Sequence, residues 1–326
     1  MDRTRDLGCA LDAARAACRA VAAVGSPADF GAEGVLEKGA AGPLTLADLA
    51  SQVAAIASLR AAFGPSARFV AEESADEVAS HGGEPLLVRV AEILRASGMA
   101  IDAAGVREAL SSGGHEGGSD RFWAIDPLDG TKGYLRGGQF AIAIALVEAG
   151  RPVVGVLGLP RLAGSGCDAG SGVLASAVSG SGAHQRSLAG GDAVPIRARE
   201  WSSGQAVRLA GSVEKAHSAS DALETLVSAL GPVDPVRVDS QAKYALVARG
   251  DADAYVRRSP SAGYREWIWD HAAGALVATE SGCIVTDTLG TPLDFAQGRR
   301  LERSTGIVCA PQRLHGALVD ILARGG

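Results

Sequence analysis

Trp123-Ala124-Ile125-Asp126-Pro127-Leu128-Asp129-Gly130-Thr131-Lys132-Gly133-Tyr134 sets two carboxylates three positions apart on a Pro/Gly-constrained turn, directly after an apolar run. The run Phe122–Ile125 reads as a strand; Asp126 ends it, and Pro127, with its fixed φ, makes the turn. Asp129 then faces the same pocket as Asp126. Gly130 and Thr131 open a short helix whose free N–H groups point at an anion. Carboxylates on one side and amide donors on the other suit a single ligand, a metal-bound phosphate. The plainer reading is a polar turn whose aspartates cap the helix, and this stretch alone leaves both open.

Two further acidic segments bear on the choice. Phe69-Val70-Ala71-Glu72-Glu73-Ser74 is a short apolar strand running into paired glutamates, and Ile268-Trp269-Asp270-His271-Ala272-Ala273-Gly274 sets an aspartate ahead of an Ala-rich helix that ends at Gly282. Taken singly, the glutamates read as solvated surface and the aspartate as an N-cap. Together, Glu72, Asp126, Asp129 and Asp270 all fall at strand ends or helix starts, where α/β proteins build sites. Carboxylates gathered in one place repel and raise one another's pKa values unless cations neutralise them. Oxygen ligands without a Cys or His cluster point to Mg²⁺, which shares itself with substrate phosphates, and water is the expected attacking group.

With these segments in this order, the chain resembles the Mg²⁺-dependent, lithium-sensitive phosphatases that include inositol monophosphatase and fructose bisphosphatase. Within them it is most similar to the 3′(2′),5′-bisphosphate nucleotidases, which take one phosphate from adenosine 3′,5′-bisphosphate. The resemblance rests on D-P-L-D-G-T-K-G-Y-L-R-G-G-Q-F-A (126–141), S-V-E-K-A-H-S (212–218), D-S-Q-A-K-Y (239–244), A-D-A-Y-V-R (252–257) and I-W-D-H-A-A-G (268–274), and runs from about Lys38 to the C-terminus. It implies metal ligation by Glu72, Asp126, Asp129, Asp270 and the Leu128 carbonyl. It also implies that Asp48 and Thr131 activate the attacking water. His217, Ser240, Lys243 and Arg257 would hold the nucleotide's second phosphate, ribose or base, with Gly130, Thr131 and Asp270 also touching substrate.

Each position has a plainer reading as well. Thr45-Leu46-Ala47-Asp48 reads as a capping box for a helix built on Leu46, Leu49, Val53 and Ile56, and both roles of Asp48 can hold at once. His217 and Lys243 read as solvated helix residues, Ser240 as an N-cap, and Arg257 as flanking the strand Ala254-Tyr255-Val256. One stretch departs from the family. Lys38-Gly39-Ala40-Ala41-Gly42-Pro43-Leu44-Thr45 has Ala40 and Gly42 where the family carries polar side chains, so loop closure there would require more ordering entropy.

Composition bounds the rest. The 326 residues are 47% hydrophobic and 21% charged, enough for a full core and about two domains' worth of protein. A net charge of −6 without a Lys/Arg stripe argues against nucleic acid as a partner, although a small nucleotide bisphosphate needs only a local basic pocket. Five dispersed cysteines without a C-x-x-C pair suggest neither a disulfide framework nor a zinc site, and point to a reducing cytoplasm. Charged residues interrupt the first helix, and no later run approaches the ~18 residues that span a membrane, so no membrane association is expected. Oligomeric state is not legible, and a monomer satisfies the sequence.

Helices are expected over 6–24, 45–62 and 84–110, the last broken at Gly98, and strands over 122–125, 140–147 and 152–159. The Gly/Ser-rich stretch 163–172 marks the expected boundary between an α+β domain (1–165), helices against a largely antiparallel sheet, and an α/β domain (166–326). The resemblance implies stacked α-β-α-β-α layers with the site between the domains. A nucleotide-sugar transferase would not explain Glu72, Asp48 and Thr131 together, and a silent nucleotide sensor would have lost a ligand. The alternative that stays open is an inositol phosphate phosphatase with the same metal site.

Overall fold

The structure, a computed structural model, describes residues 2–25, 35–37, 43–81, 83–163, 172–213, 227–259, 261 and 263–324. The first helix, α1 (Arg3–Val24), is capped by Asp2, whose side chain accepts from the Thr4 and Arg5 amides, and it buries Leu11, Ala14, Cys18 and Val21. After a two-stranded ribbon, β1 (Val35–Glu37) and β2 (Pro43–Thr45), helix α2 (Leu46–Phe63) starts on the expected Thr45/Asp48 capping box. With a mean hydropathy of 1.2 over 18 residues, α2 is long and apolar enough to cross a membrane, which corrects the expectation that no run is. In this fold α2 is packed between α1 and the main sheet, and its apolar residues belong to the core there.

That sheet has seven strands in the order β3 (Phe69–Ala71), β4 (Phe122–Asp129), β5 (Ala141–Glu148), β6 (Arg151–Leu159), β7 (Val173–Val178), β8 (Ala183–Ser187) and β9 (Gly190–Ile196). Only β3 and β4 run parallel. Helices α3 (Ala75–His81), α4 (Gly83–Ala96) and α5 (Ala103–Ser111) join β3 to β4, with α4 and α5 separated at Gly98 as expected. A five-residue helix, α6 (Thr131–Leu135), follows β4. The second sheet contains β10 (Val207–Gly211), β11 (Val233–Arg237), β12 (Ala254–Arg258), β13 (Cys283–Thr286) and β14 (Gly306–Pro311), in the order β11-β10-β12-β14-β13. Helices α7 (Ala242–Ala248) and α8 (Ala272–Glu280) lie between the sheets, and α9 (Gln312–Arg324) covers the outer face of the second. The layers are α-β-α-β-α, as expected.

Both faces of the main sheet are buried, and strand alternation sorts them. Trp123, Ile125, Ile142, Ile144 and Leu146 pack with α1 and α2, while Phe122, Ala124, Ala141, Ala143 and Ala145 pack with α7 and α8. The alanines let the inner helices lie close. At the nearest approach only glycine fits: a Cβ at Gly155 would sit 2.9 Å from the Ala273 carbonyl oxygen, and one at Gly274 would land on the Tyr244 ring. Among the described residues Cys9, Cys18, Cys283 and Cys309 are free thiols.

One expectation is corrected. The strand does not stop at Asp126; β4 continues to Asp129 through an irregularity in its pairing with β5. After the Gly/Ser-rich stretch β7, β8 and β9 pair back onto β6, so the change of sheet falls between Ile196 and Val207. Glycine and serine signal a loop, but not which sheet the next strand joins.

The inner packing makes a specific prediction. Gly274→Ala should destabilise the protein by about 1–3 kcal/mol through overpacking against Tyr244. Gly8→Ala, in α1 where a Cβ meets nothing within 4 Å, should stabilise by about 0.5–1 kcal/mol through helix propensity. Urea-denaturation midpoints of both variants measure this, and equal shifts for the two would refute the close-approach account.

Candidate active site

The β4–β5 register assembles the first half of the site. Asp126 pairs with Ala143 and Asp129 with Ala141, so three steps along β4 match two along β5. That is a bulge, and its physical consequence is direct: residues i and i+3 of a regular strand point to opposite faces, whereas one extra residue brings both to the same face. Asp126 and Asp129 therefore both lie on the side of the inner helices. The Leu128 amide donates to Asp126 Oδ1 at 3.1 Å, and the Ser51 hydroxyl to the Pro127 carbonyl at 2.5 Å, which pins the bulge to α2.

Strand β3 delivers Glu72. Its parallel register with β4 ends at Ala71 opposite Ile125, so Glu72 emerges level with Asp126. The following residue is clamped by Gln52, whose side-chain amide accepts from the Glu73 N–H at 2.9 Å and donates to the Glu73 carbonyl at 2.6 Å. Asp270 comes from the opposite layer, immediately before the His271 N-cap position of α8. Gln241 links it to the first half, since its backbone N–H donates to Asp129 Oδ2 while its side chain donates to the Trp269 carbonyl at 2.9 Å and accepts from the Gly274 amide at 3.1 Å. Arg299 makes a second link. Its guanidinium donates to the Ala71 carbonyl at 2.7 Å and the His115 carbonyl at 3.0 Å, and lies 4.9 Å from the centroid of the Trp269 ring.

The electrostatics report how tightly the carboxylates are gathered. Burial raises the Asp126 carboxyl well above the usual carboxylate range, and Glu72, Asp129 and Asp270 push it further in the same direction. Burial also raises Asp129, opposed by Lys243, the Gln241 amide and Arg257. Asp270 is pushed up to about 7 by burial, with Asp129 and Glu266 adding to the shift and His271 and Arg257 opposing it. Asp48 is 1% exposed, and its two oxygens divide the work. Oδ2 accepts from the Thr45 amide at 2.8 Å in the capping box, while Oδ1 accepts from the Thr131 hydroxyl at 3.3 Å, so the cap and the contact with Thr131 coexist. The Thr131 hydroxyl is also 3.2 Å from the Leu128 carbonyl oxygen. Gly130 precedes Thr131 at φ 89°, and a Cβ there would approach Ser240 Cβ to 3.1 Å, so both conformation and space demand glycine.

The cationic side comes from the second sheet and α7. Arg257 lies inside β12 rather than beside it, and alternation sets it on the same face as Tyr255, toward the inner helices. Lys243 is buried on α7; desolvation lowers its ammonium pKa to about 8, while Asp129, Asp239 and Asp270 work the other way. Ser240 holds φ 70°, uncommon outside glycine, and its Oγ accepts from the Ala242 amide at 3.2 Å as a cap would. His217 lies outside the described residues, as do Lys38 to Gly42; of S-V-E-K-A-H-S, Ser212 is described, its hydroxyl donating to Asp239 at 2.7 Å. Nothing in the local sequence marks Gln52, Gln241, Glu266 or Arg299. The available signal was a polar residue among apolar helix neighbours, as Gln52 stands among Leu49, Val53 and Ile56. Glu266, Asp270 and His271 carry ligand atoms within 4.8 Å of one another, yet Glu266 and His271 are already bonded to other side chains.

Because the folded carboxyl pKa values of Asp126, Asp129 and Asp270 are raised, the metal-free folded state binds more protons than the unfolded one. Their contribution is nil below the unfolded value of about 4, and destabilisation grows as pH rises, complete for Asp270 above about 7. In chelator, melting temperature should fall from about pH 5 to about pH 8, and less so in Asp270→Asn; a divalent cation should restore the wild type at the alkaline end. A wild-type melting temperature indifferent to pH and to cation would contradict the clustering.

A family model described as the inositol monophosphatase family matches residues 2–324. A rice (Oryza sativa) protein named 3′(2′),5′-bisphosphate nucleotidase is 40% identical over 306 residues, covering 88% of this chain and 85% of its own. An Arabidopsis thaliana protein named probable 3′(2′),5′-bisphosphate nucleotidase 4 is 37% identical, covering 86% and 84%. Among solved structures, extragenic suppressor protein suhB from Bartonella henselae superposes with a TM-score of 0.67 at 23% identity, covering 98% of each chain, a likeness of fold. With layers, carboxylate cluster and family match in agreement over nearly the whole sequence, this chain belongs to the inositol monophosphatase family.

Proposed function

We propose that this chain is a 3′(2′),5′-bisphosphate nucleotidase, a phosphoric monoester hydrolase that converts adenosine 3′,5′-bisphosphate to AMP and phosphate. The observation that carries the substrate assignment is the pair of cations, Lys243 and Arg257, whose charges reach Asp129 and Asp270 at the rim of the carboxylate cluster. A single scissile phosphate among metal ligands does not need them. A second phosphate does, and the relatives that share most of this chain's length carry the corresponding name.

The donor set fits Mg²⁺. Glu72, Asp126, Asp129, Asp270 and the Leu128 carbonyl are all hard oxygen donors, and mutual elevation of carboxyl pKa is what a bound divalent cation relieves. Bound there, Mg²⁺ supplies charge neutralisation at the phosphate and acidifies a water. The chain's own residues supply the proton path: the Thr131 hydroxyl donates to Asp48 Oδ1, which leaves its lone pair facing outward to accept a proton from the attacking water as its own passes to Asp48. Thr45 fixes the other Asp48 oxygen, so the acceptor cannot rotate away. Ser240 and His217 complete the nucleotide's seat in this reading, and the free dispersed thiols suit a cytoplasmic home.

Phosphate release over a panel of adenosine 3′,5′-bisphosphate, inositol 1-phosphate and AMP tests the proposal. Turnover should be fastest on the first, require Mg²⁺ and vanish in excess chelator; comparable rates on inositol 1-phosphate would favour the inositol phosphate phosphatase instead. Asp48→Asn and Thr131→Ala should each lower kcat by about 10²-fold with the fold retained. Full activity in Asp48→Asn would reduce Asp48 to a helix cap.

A further inference from the structure

Behind Arg257 lies a chain of buried polar groups with no part in the chemistry just described. Glu266 is fully buried, and its Oε1 accepts from Arg257 Nε at 2.8 Å. Its Oε2 lies 3.3 Å from His271 Nε2, and His271 Nδ1 lies 2.9 Å from the Tyr244 hydroxyl. His271 thus bridges the Tyr244 hydroxyl on Nδ1 and the Glu266 carboxylate on Nε2, and the carboxylate accepts from histidine and arginine. Tyr244 is seated in turn by the absence of a side chain at Gly274 and by an edge-to-face contact with Tyr255 at 5.0 Å. The Leu301 amide donates to the Glu266 carbonyl at 2.9 Å, so the backbone of Glu266 is tied down as well.

We infer that Glu266 is a positioning residue for substrate selection: held by His271 and Tyr244, it fixes the Arg257 guanidinium so that its outer edge meets the non-reacting phosphate of a nucleoside bisphosphate. The inference rests on the nucleotidase reading of Arg257. Its physical ground is that Glu266, at 0%, holds Nε and the Tyr264 hydroxyl accepts from Nη2 at 3.4 Å, while the Arg257 side chain is 37% exposed and keeps further guanidinium N–H groups for a ligand. Arginine carries a long, flexible stem, and a bond at Nε sets the plane of the fork before substrate arrives. A pre-aimed fork loses less side-chain freedom on binding. The buried carboxylate also offsets the guanidinium charge from behind, which a neutral residue would not do.

The test compares adenosine 3′,5′-bisphosphate with adenosine 3′-monophosphate, which keeps the scissile phosphate and lacks the other, at saturating Mg²⁺. Arg257→Ala should raise KM for the bisphosphate by about 10- to 100-fold and leave KM for the monophosphate nearly unchanged. Glu266→Gln should raise the bisphosphate KM by about 5- to 20-fold with kcat within about twofold, and Tyr244→Phe, which removes one hydroxyl, by about 2- to 3-fold. In the Arg257→Ala background both effects should disappear, a coupling that general loosening of the fold would not produce. If Arg257→Ala leaves the bisphosphate KM unchanged, the reading of Arg257 falls and this inference with it. If Arg257→Ala acts as expected but the Glu266→Gln and Tyr244→Phe effects persist in its background, or fall equally on both substrates, the inference alone is overturned. A change in the Mg²⁺ activation constant without a change in the bisphosphate KM would also overturn it, placing Glu266 with the metal ligands instead.

Discussion

Carboxylates brought together away from water repel one another, and much of this architecture can be understood as the means of holding Glu72, Asp126, Asp129 and Asp270 against that repulsion. Burial and the neighbouring carboxylates raise the carboxyl pKa values of Asp126 and Asp270, and burial raises that of Asp129. No flexible loop would keep such a group assembled without a cation. Here the β4 bulge, the end of β3 and the start of α8 supply positions set by backbone hydrogen bonding, so the cluster persists because the sheets and helices around it do.

The carboxylates come from two packed layers, and the contacts that join the layers pass through the segments that carry them. Gln241 touches Asp129 through its backbone and the Trp269 and Gly274 backbone through its side chain. Arg299 bonds the carbonyl just before Glu72 while lying against the ring just before Asp270. Any relative movement of the sheets is therefore felt at the clustered carboxylates. The same economy appears at Asp48, where one carboxylate caps α2 and meets Thr131. In each case a residue that stabilises the fold also sets a distance in the site.

The cationic side obeys a different logic. Lys243 and Arg257 are drawn toward the carboxylates, and each is restrained from behind, Lys243 by burial on α7 and Arg257 by Glu266.

Much of this was legible in the sequence. The D-P-L-D-G-T run marked two carboxylates and a glycine turn, Thr45 and Asp48 spelled a capping box, and the alanine-rich run after Asp270 announced a helix; these are local signals, governed by dihedral preference and periodicity, and the chain carries them residue by residue. Tertiary structure decided what local rules cannot. A turn after Asp126 and a bulge through Asp129 have the same residues, and only pairing with Ala143 and Ala141 distinguishes them. The Gly/Ser-rich stretch announced a loop, but whether Val173 joined the old sheet or began a new one depended on the free edge of β6. Gln241 and Arg299 have roles set by partners far along the chain, Asp129 and Ala71. Such contacts are specified by the packing of two sheets around the inner helices, and no window of sequence contains both ends.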